Sequence, residues 1–253
     1  MEISGEDMDE NILVKLQEFM KTNPENFTII EEKIDIDLQM KYFKNSKLVK
    51  ESSLVSNEII DQADKLYDIE VTNEDKKILL NKLASLEDVE AYRIIEHFYK
   101  SNQNPLKEWT ALALRESRMM LETSLLDEKQ ILISTGLGGK GNKLRYFIVL
   151  ISKNDVFDST QKKLIKSEFE FALNNTESEI ESLDFDKNYG KMISLIPLKV
   201  SIKDTLLTAV NECNQYGNFL NENFIVTNVK EFTSDEIDEF IANKDKPSFH
   251  PLK

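Results

Sequence analysis

The chain has 253 residues, a formal net charge of −14 and a single cysteine, Cys213. A chain of this length can bury a sizeable core, as one large domain or two modest ones, and 40% apolar with 31% charged residues is typical of globular proteins. The negative balance opposes sequence-independent binding of nucleic acid and anionic lipid, and one cysteine excludes an intrachain disulfide. The first residues are acidic, and no apolar run reaches the roughly 18 residues of a membrane helix. We therefore expect a cytoplasmic protein without a membrane segment.

Residues 1–127 are predicted to form an acidic, mainly helical domain. Apolar residues at helical spacing predict a first helix over residues 10–21, and strict alternation from Ile34 to Tyr42 predicts a half-exposed strand. Capping patterns that begin at Thr72 and Ser85 support two of four further predicted helices, over residues 56–66, 73–83, 86–101 and 105–126. Their short links resemble the antiparallel hairpins of HEAT-type solenoids, and a plain helical bundle is equally allowed.

Residues 128–242 are predicted to form a second domain in which strands and helices alternate. Strands are predicted at 131–135, 144–152, 179–185, 191–198 and 224–229, and helices begin at the capping patterns of Asp158, Ser201 and Thr233. From residue 144 the order is β-α-β-β-α-β, the ferredoxin-like arrangement. Residues 243–253 are predicted to be a flexible tail.

The predicted fold class is therefore α+β, with a helical part packed on a ferredoxin-like antiparallel sheet. The segment 144–152 is apolar on both faces, so we expect the helical part to cover the sheet face that the sheet's own helices leave open. Two features conflict with the standard arrangement. The strand at 131–135 cannot pair with a central strand at 144–152 as a tight hairpin, and Pro197 requires a strand end or a bulge.

A glycine-rich basic segment, residues 129–153, differs in composition from the rest of the chain. It holds four of the seven glycines and five cations without an acid, so that it sums to about +5, against about −12 before it and −7 after it. Gly136 to Gly141 matches the G-x-G-x-x-G pattern. A dinucleotide site would need a helix after the third glycine, whereas LRYFIVLIS predicts a strand. The kinase and P-loop patterns also fail, because no H-R-D-type loop exists and Gly141 is followed by Asn142-Lys143.

Two interpretations of this segment stay open. The glycines can simply form a mobile connection that needs positive φ angles. Alternatively, exposed backbone amides and uncompensated cations form a contact site for an anion or an acidic surface. The residues of this hypothetical site are Gly136, Gly138, Gly139, Lys140, Gly141, Lys143 and Arg145.

The predicted function is that of a non-enzymatic cytoplasmic interaction or regulatory protein, which binds a protein partner or an anionic ligand through this loop. The alternative is an enzyme or sensor that binds a nucleotide or phosphorylated metabolite at the same loop. RNA binding is a third class that the net charge disfavours. No catalytic residue, metal site or cofactor is predicted.

Other polar residues have structural explanations that compete with functional ones. Asp35 and Asp37 could hold Mg²⁺ or Ca²⁺, although a solvated strand face is the commoner arrangement. His97 lacks a second ligand at metal-binding spacing, and Cys213 lies on the inward stripe of its helix, as a core residue would. Arg115 and Arg118 either extend the basic segment or pair with acids on their own surface.

Overall fold

The computed structural model describes residues 27–52, 55–101, 105–126, 130–154 and 156–243, so the helix predicted at 10–21 and the tail after 243 lie outside the described residues. The fold is α+β, and the chain divides into two compact units, residues 1–134 and 135–253. The predicted boundary was residue 127, seven residues earlier. The difference arises because strand β2 (Ile131–Ile133) pairs in parallel with strand β1 (Phe27–Ile29) of the first unit.

The segment predicted as a strand from Ile34 to Tyr42 is largely helical, so that prediction was wrong. Helix α1 runs over Ile36–Lys50, and the carboxylate of Asp35 accepts hydrogen bonds from the amides of Asp37 and Leu38, at 2.9 and 3.2 Å. This N-cap satisfies amides that have no partner within the helix, which favours a helix start here. The apolar alternation on which the strand was predicted also fits a helix whose buried face is partly polar.

Between α1 and β2, the described residues of the first unit are mainly helical. Its elements are α2 (Ser56–Ile60), a 3₁₀ turn (Ala63–Leu66), α3 (Asn73–Ala84), α4 (Val89–Lys100) and α5 (Lys107–Leu126). Thr72 caps α3 as predicted, but Ser85 ends α3 and Asp88 caps α4. The core is formed by fully buried side chains from several of these helices, among them Tyr42, Leu80, Leu83, Ile95, Phe98 and Leu112. The finer HEAT-like arrangement stays a prediction.

The second unit contains a five-stranded antiparallel sheet. Its strands are β3 (Gly139–Lys140), β4 (Lys143–Ile151), β5 (Glu179–Asp186), β6 (Tyr189–Pro197) and β7 (Ile225–Thr227). β4 pairs with β6, β6 pairs with β5, and the other edge of β4 pairs with β3 at its start and with β7 further along. β4 is therefore central, as its two apolar faces predicted.

Both conflicts in the predicted sheet have local solutions. β2 pairs with β1 rather than with β4, so the chain between β2 and β4 needs only the short β3 hairpin. Pro197 is the last residue of β6 and lies opposite Lys143, the first residue of β4. A proline at a strand end costs the sheet little, because few ladder hydrogen bonds remain beyond it.

Helices of the second unit cover both faces of β4. Helices α6 (Ser159–Asn174) and α7 (Ile202–Asn214) pack on the face of Ile148 and Leu150, and Asp158 forms the predicted capping box with Gln161. On the opposite face, α8 (Ser234–Asn243) and Phe232 pack against Phe147, Val149 and Ile151. The apolar second face of β4 is thus explained by α8 of the same unit.

Candidate functional site

Three glycines of the predicted contact loop are buried, and one is required by a close backbone approach. Gly136, Gly138 and Gly139 lie inside the second unit. A Cβ atom at Gly136 would lie 1.7 Å from the carbonyl oxygen of Val229, far inside any permitted contact. Glycine at position 136 therefore lets two backbone segments touch, which is a packing role.

Two amides of this loop already have partners within the fold. The N–H of Leu137 donates to the carbonyl of Asn228 at 3.0 Å, and the N–H of Gly138 donates to the carbonyl of Thr135 at 3.2 Å. A phosphate cradle needs such amides to point at the ligand. The prediction that this loop exposes its amides is therefore wrong for these two positions.

Gly141 and Asn142 form the turn of the β3–β4 hairpin and are exposed. Lys140 pairs with Lys143 across the turn, and Gly141 has a φ of +59°, which a two-residue hairpin of type II′ requires at its first central position. At Gly141 the structure therefore agrees with the first interpretation of the glycines, that of a connection that needs a positive φ angle.

Two of the three predicted site cations are paired with carboxylates. Lys143 forms an ion pair with Glu179 of β5, and the hydrogen bond from Lys143 lowers the pKa of the Glu179 carboxyl. The Arg145 guanidinium binds both oxygens of Glu181 and donates to the carbonyl of Leu137 at 2.8 Å. The prediction that these cations lack a compensating acid is therefore wrong. Lys140, which is exposed beside the turn, is the member of the set that keeps its predicted position at the surface.

A different basic surface lies on α1. Lys41, Lys44, Lys47 and Lys50 are exposed and follow one another at intervals of three residues, so they turn slowly around the outer side of the helix. Within the described residues, Lys50 has a carboxylate partner, at 2.6 Å, and the other three form no ion pair. We call Lys41, Lys44 and Lys47, with the exposed apolar side chains between them, the α1 lysine face.

Large apolar side chains lie between these lysines. Met40 and Leu48 are each 59% exposed, and Phe43 is 36% exposed. A solvated helix face does not need three large apolar residues among its charges, whereas exposed apolar patches with a polar rim are typical of surfaces that bind other proteins.

The inner side of α1 is fixed by a buried carboxylate on α5. Glu116 accepts hydrogen bonds from the hydroxyls of Tyr42 and Ser46, both at 2.5 Å, and pairs with the ammonium group of Lys50. These three donors are spaced four residues apart and therefore lie on one face of α1. Burial, and then the neighbouring Glu116, raise the pKa of the Tyr42 hydroxyl well above its usual value. The lysine face is thus carried by a helix whose rotation is set by three contacts to one side chain.

A pocket of about 350 Å³ lies beside the lysine face in the first unit. Phe43, Met119 and Leu132 supply its apolar walls, and Lys47 and Lys50 lie at its border. Such a pocket can take one apolar side chain of a partner next to the lysines.

Sequence reasoning missed the α1 lysine face although the sequence contains a signal for it. Residues 41–50, KYFKNSKLVK, carry four lysines and no acid, a denser basic run than that of residues 129–153. The net charge of the N-terminal half does not reveal this run, because acids just before it make the sum negative. The prediction of a strand over 34–42 also left residues 43–50 outside any predicted element.

The remaining candidate residues have structural roles. Asp35 caps α1, Arg115 pairs with Glu32 at 3.1 Å, and Arg118 pairs with Glu122 at 2.8 Å. The hydroxyl of Tyr67 lies 2.7 Å from Nδ1 of His97.

Cys213 is buried in the second unit. Burial raises the pKa of its thiol to about 12, which leaves almost no thiolate near neutral pH. The residue is therefore a small core side chain, and a nucleophilic role is disfavoured.

Two tests of other site types are negative for the described part of the chain. No group of three or more His, Cys, Asp or Glu side chains in it could hold a metal ion. No helix among the described residues is long and apolar enough to cross a membrane.

No protein-family model and no curated protein matches this chain. One match among solved structures is a crystal structure of a putative transposase from Deinococcus radiodurans R1. The two chains share 18% sequence identity with a TM-score of 0.36, over 42% of this chain and 94% of that chain. A TM-score this low carries no argument about the present chain.

Proposed function

We propose that this protein is a non-enzymatic, cytoplasmic interaction protein that holds an acidic segment of a partner protein on the α1 lysine face. The single observation that carries the proposal is the composition of that face. Three lysines without an ion pair to a described residue alternate with exposed Met40, Phe43 and Leu48. Cations with apolar neighbours attract an acidic amphipathic segment by both charge and burial of apolar area.

The proposal changes the place of the predicted contact and keeps its chemistry. The sequence hypothesis used the loop from Gly136 to Arg145, where Lys143 and Arg145 already have carboxylate partners. Lys140 beside the exposed hairpin turn can still add one cation to a contact with an anion. We further propose that the second unit is ferredoxin-like, on the support of the strand order β7-β4-β6-β5 and of the two helices packed together on one sheet face.

An acidic protein segment fits this face better than a membrane or a nucleic acid does. The protein carries a net charge of −14, so a polyanion with a long-range field is repelled by most of the molecule. A short peptide needs only local complementarity, because charges further than about 8 Å away are largely screened at physiological salt.

The test compares a labelled helical peptide, with Glu on one face and Leu on the other, with a scrambled peptide of the same composition. We expect the intact protein to bind the amphipathic peptide more tightly in fluorescence anisotropy. The triple variant K41E/K44E/K47E should lose about tenfold or more in affinity, as three attractive charges become repulsive. The control K65E/K100E/K199E makes the same change of net charge on other exposed surfaces, and we expect its affinity to stay within about twofold.

Two results would overturn the proposal. One is equal binding of the peptide by the α1 variant and the intact protein. The other is α1-dependent binding that is tighter to phosphatidylserine vesicles or to a single-stranded oligonucleotide than to the peptide, which would assign the face to a different class of partner.

Nucleotide or phosphometabolite binding at the glycine-rich loop, the alternative function, stays a prediction that the hydrogen bonds of the Leu137 and Gly138 amides do not favour. A panel of these compounds should leave the melting temperature of the protein unchanged, whereas a specific ligand would raise it.

A further inference from the structure

A second surface with the opposite charge lies in the second unit, between α6 and α7. There the two helices border a groove of about 400 Å³. Phe171 of α6 lines it and is 67% exposed, and Glu168, Asp204 and Glu212 contribute carboxylates to its lining. The groove is therefore apolar in part and acidic at its borders.

These carboxylates have no cationic partner among the described residues. Asp204 accepts from the hydroxyl of Ser201 at 2.6 Å, and Glu212 accepts from the side-chain amide of Gln215 at 2.8 Å. Both donors are neutral. The negative charge of the groove is thus available to an external cation, just as the positive charge of the α1 lysine face is available to an external anion.

We propose that the groove between α6 and α7 binds α1 of a second copy of this chain. This assignment rests on the proposed function, because it names the partner of the α1 lysine face. Each surface supplies what the other lacks: the groove has exposed Phe171 and three carboxylates, and the face has exposed Met40 and Phe43 and three lysines. Seating an amphipathic helix in such a groove is a common mode of recognition.

The dimensions of the two surfaces agree. At 1.5 Å per residue, Lys41 and Lys47 lie about 9 Å apart along α1, and Asp204 and Glu212 lie about 12 Å apart along α7. Flexible lysine side chains can span the difference. Phe171 can then pack against Met40 and Phe43 of α1. All three side chains are exposed in the single chain, and the contact would bury them.

The contact joins two different surfaces, so one contact between two copies leaves one face and one groove unused. A two-fold dimer results if the same two copies also make the reciprocal contact, and a larger ring or an open filament results if further copies make it. In each case we expect self-association that increases with protein concentration.

A charge exchange tests this inference on the full-length chain. The first variant, K41E/K44E/K47E, has an acidic α1 and an acidic groove. The second variant, E168K/E212K, has a basic α1 and a basic groove, and it keeps Asp204 because the Ser201–Asp204 pair caps α7. In sedimentation velocity we expect the intact protein to associate and each variant alone to stay a 29.3-kDa monomer. An equimolar mixture of the two variants should associate again, because each now carries the complement of the other.

The controls are K65E/K100E/K199E and E222K/E239K, which change charge by the same amounts at exposed positions elsewhere. Both should associate as the intact protein does. Circular dichroism of each variant identifies any that fails to fold, and a misfolded variant would not be rescued by mixing.

The outcomes separate the inference from the proposed function. If the intact protein remains monomeric, or if the mixture fails to associate, the inference is wrong. If the α1 variant nevertheless loses the acidic peptide while its control retains it, the proposed function stands with a different partner. If the mixture fails to associate and the α1 variant also binds the peptide as the intact protein does, both the inference and the proposed function are wrong.

Discussion

The two basic stretches of this chain look alike in sequence and differ in structure. Residues 41–50 and residues 129–153 each combine several cations with no acid. On α1, Lys41, Lys44 and Lys47 stay exposed without an ion pair to a described residue, whereas Lys143 and Arg145 of β4 bind Glu179 and Glu181. The difference shows that a local excess of basic residues in the sequence predicts an exposed, unpaired basic surface only where the fold places no carboxylate beside it. A sheet readily brings one, because its strands align residues that are far apart in sequence.

The glycines make the same contrast. The glycine-rich run predicted an accessible loop, but Gly136 packs against the backbone of Val229. A Cβ atom at Gly141, by contrast, would meet no atom within 4 Å. A glycine-rich run can therefore mark tight packing as well as accessibility, and substitutions at the two positions distinguish the cases.

The largest expected effect is that of Gly136→Ala. Its Cβ would lie 1.7 Å from a carbonyl oxygen, so backbone must move, and we expect a loss of about 3 kcal/mol or more in the free energy of unfolding. Gly141→Ala is the matched control. It meets no atom within 4 Å and suffers only from its positive φ, at a cost of about 1 kcal/mol. Urea unfolding measures both, and equal losses would contradict the assignment of Gly136 to packing.

The next effect concerns the carboxylate that fixes α1. Glu116→Gln weakens the hydrogen bonds from Tyr42 and Ser46 and leaves Lys50 without its partner. We expect a loss of about 2 kcal/mol in urea unfolding, less than for a fully buried ion pair because Lys50 can turn to solvent. Glu122→Gln on the same helix breaks only the exposed pair with Arg118, and its loss should stay within about 0.5 kcal/mol. If Glu116→Gln lowered the free energy of unfolding by only about 0.5 kcal/mol as well, its contacts to Tyr42, Ser46 and Lys50 would not be what fixes α1.

The same cluster predicts a dependence on pH. The pKa of Tyr42 is raised in the folded protein, so the native state keeps a proton that the unfolded chain releases near pH 10. The stabilising contribution of Tyr42 is therefore complete below about pH 10 and is lost as the pH rises above it. The difference in unfolding free energy between the intact protein and Tyr42→Phe should fall by about 1 kcal/mol from pH 10 to pH 11. A difference that is constant over this interval would contradict the burial of the hydroxyl beside Glu116.

A smaller effect is expected for Glu181→Gln. The variant removes the charge that holds both nitrogens of the Arg145 guanidinium, which is only partly exposed. We expect a loss of about 1 kcal/mol in urea unfolding, at the upper end for a surface pair because the geometry is bidentate. If the variant instead gained affinity for phosphate-containing ligands, the cations of this segment would be a masked binding site.

Much of the fold could be predicted from local signals. The capping residues Asp158 and Ser201 begin α6 and α7 where the sequence indicated, and the central position of β4 followed from its two apolar faces. These features depend on neighbouring residues and on burial, which a sequence pattern records directly.

The site could not be predicted in the same way. Lys143 and Arg145 pair with acids 36 residues away, and Glu181 lies at a β-bulge that no pattern in the sequence marks. The helix α1 was missed because two of its buried residues, Gln39 and Ser46, are polar and disguise its periodicity. Their polarity has a reason in the structure, since Gln39 donates to the carbonyl of Ile34 and Ser46 donates to Glu116.

Lysine labelling of the folded protein, read by mass spectrometry, tests the contrast between the two basic stretches most directly. At limiting amounts of an amine-reactive ester, Lys41, Lys44 and Lys47 should react quickly, and Lys143, whose side chain is only 19% exposed, should react slowly. Addition of the acidic amphipathic peptide should then protect the three α1 lysines and leave Lys143 unchanged. Equal reactivity of Lys143 and the α1 lysines, or protection of Lys143 in place of α1, would contradict the account.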